Sequence, residues 1–232
     1  MTNRIHATAV IGEGVELGDD NVIGPYAVIV GKTRIGSGNW IGPHVSIGTP
    51  AEDRTGPHPA GWDGELEGFG VEIGDGNKIR EYFTMHQGTW RTTRVGDGNY
   101  LLSRTHLGHD CVVDDSVTLA SVQLGGHCHI WSHANIGMGT VVHQKAEVGP
   151  GAMVGMGGAV RKDIGPFTIS VGNPARVSGI NVVGLSRRGC DEATIAALEP
   201  FLKGVGDLPA SGLPEDLATL LKAWADRGPA DH

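Results

Sequence analysis

The sequence predicts an all-β parallel β-helix built from six-residue repeats, with a small α-helical appendage at its C-terminal end. Three observations carry that prediction. Aliphatic residues recur at every sixth position from Ile11 to Val160, with only a few interruptions. The chain holds 38 glycines and only 5% aromatic residues, too much glycine for an ordinary helical domain. The period fails after Ile169, and amphipathic helical spacing replaces it.

The first run is Ile11, Leu17, Ile23, Ile29, Ile35, Ile41 and Ile47, and glycine follows every member except Ile29. A second holds Ile73, Ile79 and Met85, and a third Val95, Leu101, Leu107, Val113 and Leu119. The fourth runs through Leu124, Ile130, Ile136, Val142, Val148, Val154 and Val160. Helical faces recur at 3.6 residues and half-buried strands at 2, so a period of six suits neither. It suits a short strand followed by a corner, with the aliphatic residue inward and a small residue at the turn. Three strands close a coil of about 18 residues, and each coil pairs its backbone with the next. The pattern resembles the hexapeptide-repeat proteins, whose fold is a left-handed parallel β-helix.

The breaks are as informative as the repeat. Ile47 and Ile73 lie 26 residues apart, so residues about 49–70, TPAEDRTGPHPAGWDGELEGFG, read as an extruded loop. Met85 to Val95 spans ten, marking a smaller excursion at about 87–94, and Leu119 to Leu124 spans five, a one-residue deletion. Loops leaving a rigid solenoid commonly carry function, with tolerated surface insertion as the alternative. Beyond the repeat, Asp191 suits the cap of a helix bearing Ile195, Leu198 and Leu202. Pro214 suits the first turn of another, bearing Leu217, Leu220, Leu221 and Trp224. The expected organisation is a β-helix over 1–186 and a helical region over 187–232. That region is expected to close the open end of the β-helix or to pack on a neighbouring subunit.

Composition excludes several function classes. Charged residues make up 19% and the net charge is −8, which argues against nucleic-acid or membrane-surface binding. No apolar run approaches the roughly 20 residues that span a bilayer. The N-terminal MTNRIHATAV lacks the apolar stretch of a signal peptide, and Cys111, Cys128 and Cys190 form no disulfide pattern. A reducing cytoplasm is therefore the expected compartment.

Six of the 11 histidines crowd one region: His106, His109, His127, His129, His133 and His143. A β-helix core is aliphatic, so they belong on outer positions stacked from coil to coil. Acid–base chemistry and metal ligation both use such clusters. In the first case one histidine acts as a general base, and Asp110 is placed to orient His109. In the second, His127, His129 and His133 bind zinc, as in the γ-class carbonic anhydrases of the same fold. Their intervals of two and four fit that pattern poorly.

Four blocks, VEIGDGNKIREYFTMHQGT, HLGHDCVV, VVHQK and GINVVGLSRRG, resemble the UDP-N-acetylglucosamine O-acyltransferases of lipid A biosynthesis. The similarity runs from about residue 8 to residue 190, and HLGHDC and GLSRRG are its specific parts. The resemblance implies His109 as general base, Asp110 as its partner and the Gly126 N–H as oxyanion donor. It also implies substrate contacts at Asp53, Glu52, His86, His106, His127 and His143, and nucleotide contacts at Asn181, Arg187 and Arg188. It further implies direct transfer from an acyl thioester, on acyl carrier protein or coenzyme A, to position 3 of a UDP-aminosugar. A homotrimer with clefts between subunits is implied, with no metal and no bound cofactor. An acetyl-CoA-dependent sugar acetyltransferase is the second enzymatic reading.

Departures from the family pattern bear on substrate. Glu52 stands where glutamine is usual, Thr55 where lysine, Pro174 where histidine and Val183 where glutamate, and PHPAGWDGELEG lengthens the first loop. Met156 occupies the position where many members carry glycine at the end of the acyl groove. Each methylene it excludes forfeits about 0.8 kcal/mol of burial, so a shortened acyl chain is expected. The alternative is that Met156 fills space between coils.

Overall fold

The computed structural model describes residues 2–55, 58 and 69–228. The repeat folds into three sheets of ten, eight and seven strands, here faces A, B and C of a three-sided solenoid. The chain visits them in strict order: Val22–Ile23 lies on A, Val28–Ile29 on B and Thr33–Ile35 on C, and the cycle then repeats. Pairing is parallel throughout, except that Thr168–Val171 meets Arg176–Ile180 antiparallel at the C-terminal end of face A. The sequence reading did not anticipate that closing hairpin.

Every repeat aliphatic from Ile23 to Val160 is 3% exposed or less, so the six-residue period is the period of the core. Burial of one such side chain stabilises by about 1.5–3 kcal/mol, and stacking makes the column continuous. Ile11 and Leu17 are only half-buried because they lie toward the N-terminal end of the stack, where Arg4–Ile5 is the edge strand of face A.

The interruptions share a place. The first loop leaves after Ser46–Thr49 and returns at Val71–Ile73; the second leaves after Thr84–His86 and returns at Thr93–Val95. Both replace a corner between faces B and C. Met85 still pairs with Ile47 on one side and Leu107 on the other, so neither loop disturbs the core. Apart from His58, the added segment 57–68 lies outside the described residues. The five-residue step falls on the A–B edge, where Ser121 turns with φ 49° and its hydroxyl donates to the Ser103 carbonyl at 2.7 Å. The tighter corner absorbs the deletion, and Leu124 stays paired with Leu107.

Three helices follow: α1 (Val182–Ser186), α2 (Glu192–Leu202) and α3 (Glu215–Asp226). Asp191 caps α2 as expected, accepting from the Thr194 N–H at 2.8 Å. Pro214 occupies the position just before α3 instead of its first turn. The short α1 carried no helical period and was not foreseen; Asn181 caps it, accepting from the Gly184 N–H. Leu185, Leu198, Leu202, Leu217 and Leu221 gather round Phe167 of the last coil, forming a second core. The helices thus close the end of the β-helix, and Trp224 also meets Trp131 of the C–A edge with ring centroids 5.5 Å apart. No described helix is long and apolar enough to cross a membrane.

Leu124→Ala opens a void where two coils stack and should cost about 2–5 kcal/mol. A fall in the urea midpoint without a change of slope is the expected result.

Candidate active site on the B–C edge

Residues two and three places past an inward aliphatic of face B occupy the B–C edge. His109 and Asp110 follow Leu107, Gly126 and His127 follow Leu124, and Gln144 and Lys145 follow Val142. Because Leu107, Leu124 and Val142 pair in register, these edge residues stack in one column. The His127 N–H donates to the His109 carbonyl and the Lys145 N–H to the Gly126 carbonyl, both at 2.9 Å.

Asp110, His127 and Lys145 have φ of 61°, 64° and 68°, a left-handed corner. In an extended strand, neighbouring side chains point to opposite faces. The corner instead lets His109 Nδ1 donate to Asp110 Oδ2 at 2.7 Å. Asp110 is fully buried. Its carboxylate also accepts from the backbone N–H groups of Thr89, Trp90 and Arg91 at 2.9–3.0 Å, and from the Thr89 hydroxyl at 2.6 Å. Arg91 Nε donates to the Asp110 carbonyl at 2.7 Å. The second loop is therefore a cradle for one carboxylate. A Cβ on Gly88 would lie 1.6 Å from the Arg91 carbonyl oxygen, so only glycine allows the loop to close. Sequence reading missed Thr89, Trp90 and Arg91 as partners; the glycine ahead of TWR was the available signal.

Burial is the largest single influence on Asp110 and raises its carboxyl. The hydrogen bonds from Thr89, Arg91, His109 and Trp90 together outweigh it, bringing the group to about 2. An ionised Asp110 keeps the proton on His109 Nδ1 and leaves Nε2 with its lone pair. A Cβ on Gly126 would lie 2.7 Å from His109 Nε2, so the imidazole rests against bare backbone. The Gly126 N–H donates no hydrogen bond among the described residues.

His127 completes the group, its ring 4.8 Å from that of His109 and near perpendicular to it. Trp90 Nε1 donates to His127 Nδ1 at 2.8 Å, which fixes the neutral tautomer with the proton on Nε2. Burial lowers the affinity of His127 for a second proton, with Asp110 opposing and His109 adding to the effect.

Beside this group lies a second one. His86 and His106 project from the adjacent strands Thr84–His86 and His106–Leu107 of face B. Glu52, from the first loop, reaches both, with Oε1 3.7 Å from His86 Nε2 and Oε2 3.3 Å from His106 Nε2. Burial pushes the His106 imidazole down, partly offset by Glu52. Asp53 follows, accepting from the N–H and hydroxyl of Thr55 at 2.9 and 2.8 Å; those bonds lower its carboxyl, and His109 is near enough to add to the effect.

The remaining expected residues separate. His143, exposed, directly follows Val142 at the end of its face-B strand, one coil beyond Gly125. His127, His129 and His133 diverge to the B–C edge, face C and the C–A edge, so they do not converge on one ion; His129 instead pairs with Asp114 at 3.0 Å. Asn181, Arg187 and Arg188 line a cavity of about 900 Å³ with Ser116, His133 and Asn135, on the C–A side. The Asn181 amide is already engaged, donating to the Gly151 carbonyl at 2.9 Å as well as capping α1. Met156 lies on the A–B edge, 78% exposed and therefore not filling space between coils. Met138 of the preceding coil, also exposed, lies beside it, the Gly157 N–H donating to its carbonyl.

A three-sided parallel β-helix of six-residue repeats, carrying a carboxylate-held histidine on one edge, places the chain among the hexapeptide-repeat proteins. A family model described as UDP N-acetylglucosamine O-acyltransferase, domain 2, matches residues 163–221. The acyl-[acyl-carrier-protein]–UDP-N-acetylglucosamine O-acyltransferase of Thiobacillus denitrificans is 40% identical over 221 residues, covering 86% of this chain and 83% of the relative. The protein so named from Synechocystis is 40% identical over 195 residues, covering 82% and 68%. Among solved structures, the UDP-N-acetylglucosamine acyltransferase of Campylobacter jejuni superposes with a TM-score of 0.77 at 27% identity, covering 98% of each chain. That of Moraxella catarrhalis gives 0.73 at 33% identity, covering 96% and 92%. The chain belongs to the UDP-N-acetylglucosamine O-acyltransferase family and is an acyltransferase.

Asp110 is depressed from an ordinary 3.8 to about 2, so its ionised form stabilises the fold fully above about pH 4. That contribution is lost as pH falls through about 2. Asp110→Asn should be less stable than the parent at pH 6 and should flatten the decline between about pH 4 and 2. Unfolding curves across that range check it.

Proposed function

We propose that the protein transfers an acyl group from acyl carrier protein to the 3-hydroxyl of UDP-N-acetylglucosamine, an early step of lipid A synthesis in the cytoplasm. The observation that carries this is the His109–Asp110 pair, with Nε2 free beside the Gly126 N–H. His109 Nε2 takes the hydroxyl proton as the sugar oxygen attacks the thioester carbonyl. The tetrahedral oxyanion gathers charge where the Gly126 N–H can donate. The C–S bond then breaks, and His109 returns the proton to the thiolate. Asp110 stabilises the imidazolium formed between those steps. His127, neutral and with its Nε2–H outward, serves as a donor to substrate.

The active unit is a homotrimer. His109 occupies the B–C edge, whereas Arg188 lines the C–A cavity. Edges of one rigid solenoid cannot meet, so a nucleotide sugar contacting both needs a second copy. The forked donors of Arg187 and Arg188 suit a diphosphate. Asp53, His86, His106 and His143 line the acceptor side, and exposed Met156 with Met138 ends the acyl path and shortens the chain accepted.

His109→Ala should lower transfer by about 10²–10⁴-fold while UDP-sugar binding persists. Undiminished transfer would refute the base assignment. Met156→Gly should shift preference toward longer acyl thioesters, read in a mass-spectrometric competition among donors; equal turnover of long and medium chains by both forms would remove the length role. Light scattering should return three chains of 24.2 kDa per particle.

A further inference from the structure

The Gly126 N–H belongs to one peptide unit with the Gly125 carbonyl. A trans peptide points its N–H and its C=O in opposite directions, so whatever holds that carbonyl aims the N–H. Among the described residues its donor is the Cys111 thiol, 3.2 Å away in the preceding coil. Cys111 is fully buried, so the carbonyl faces the solenoid interior and the N–H faces outward, beside His109. Burial is the largest influence on the thiol and pushes it well above its ordinary value, so Cys111 keeps its proton and donates.

The backbone is anchored on both sides of this peptide. The Gly125 N–H donates to the Val142 carbonyl at 3.0 Å, and the Gly126 carbonyl accepts from the Lys145 N–H at 2.9 Å. Between those anchors stand two glycines, the residues that least resist rotation of the peptide joining them. Reversal would turn the carbonyl oxygen toward the place where oxyanion charge gathers and bury the N–H. The preceding coil meets the peptide with Gly108, where a Cβ would lie 2.9 Å from the Gly126 nitrogen, so that residue has no side chain to steer it. One coil on, Cys128 repeats the contact, its thiol donating to the His143 carbonyl at 3.2 Å. There the peptide joins His143 to Gln144, two residues with side chains that restrict such a reversal.

We propose that Cys111 is a positioning residue for acyl transfer, its thiol holding the Gly125–Gly126 peptide with the N–H directed at the oxyanion. The assignment rests on Gly126 being the oxyanion donor. The thiol touches neither substrate nor the reacting atoms and forms no covalent bond; it acts through the backbone alone. A cysteine suits the place because it behaves as a small apolar side chain in a core while still offering a weak donor.

The test compares Cys111→Ala, Cys111→Ser and Cys128→Ala in the full chain, with UDP-N-acetylglucosamine and the acyl-carrier-protein thioester that the parent turns over fastest. Cys111→Ala should lower kcat by about 10-fold, a fraction of the roughly 10²–10³-fold that complete loss of an oxyanion donor costs. Its KM for the nucleotide sugar and the acid limb of its pH profile should match the parent, because His109 and Asp110 keep their contacts. Serine restores a donor at nearly the volume of alanine and should return kcat to within about 3-fold of the parent. Cys128→Ala removes the equivalent thiol and should keep kcat within about 2-fold, with a thermal midpoint lowered as in Cys111→Ala. Where circular dichroism finds the alanine variant unfolded, Cys111→Val fills the site without a donor and supplies the same comparison. Parental kcat in Cys111→Ala overturns the proposal, as does an equal loss in Cys128→Ala or no recovery in Cys111→Ser. A displaced acid limb also overturns it, because the effect then runs through Asp110. Undiminished transfer by His109→Ala is the failure of the base reading; parental kcat in Cys111→Ala beside an impaired His109→Ala is the failure of this proposal alone.

Discussion

Backbone hydrogen bonds in this chain run from each coil to the next, and every edge position inherits its neighbours from that arrangement. Strands of two or three residues have little stability alone; they persist because each coil's N–H and C=O groups find partners above and below. The inward aliphatic column locks the register. A residue two places past Leu107 therefore stacks with one two places past Leu124, whatever happens elsewhere in the coil. Insertions are tolerated only where they leave and re-enter at a corner, and both large ones use the B–C corner. That shared exit brings Glu52, Asp53 and the Thr89–Arg91 cradle to the histidine column.

The cradle explains how a charged group sits in a solenoid otherwise filled with aliphatic side chains. A buried carboxylate is costly unless it is fully hydrogen-bonded. Asp110 meets that condition with three backbone N–H groups, a hydroxyl and an imidazole. Its depressed pKa is a consequence of that donor set, as is the orientation of His109. The contacts that make Asp110 tolerable also hold the His109 ring with Nδ1 on the carboxylate. The same loop supplies the Trp90 donor that sets the His127 tautomer.

The other two edges do different work. The C–A edge carries stacked asparagines, Asn21, Asn39, Asn77 and Asn99, whose amides bond from coil to coil and satisfy buried backbone groups. Farther along, it opens into the cavity lined by α1. The A–B edge ends in Met138 and Met156, apolar and exposed. The His109–His127 pair, the arginines of the cavity and the two exposed methionines thus lie on three separate edges of the solenoid.

The six-residue period alone determined the parallel β-helix, the identity of the core and the approximate limits of the loops, because a core side chain must recur wherever the chain turns inward. Helical spacing likewise disclosed α2 and α3, and the HLGHDC and GLSRRG blocks pointed to the family. Only the tertiary structure decided that His109 and Asp110 converge, since adjacent side chains diverge unless the corner is left-handed. Only it separated His127, His129 and His133, which are neighbours in sequence but belong to different faces of one coil. It also joined Glu52 to His86 and His106 across more than 30 intervening residues, a pairing set by loop closure and coil stacking that no local pattern encodes.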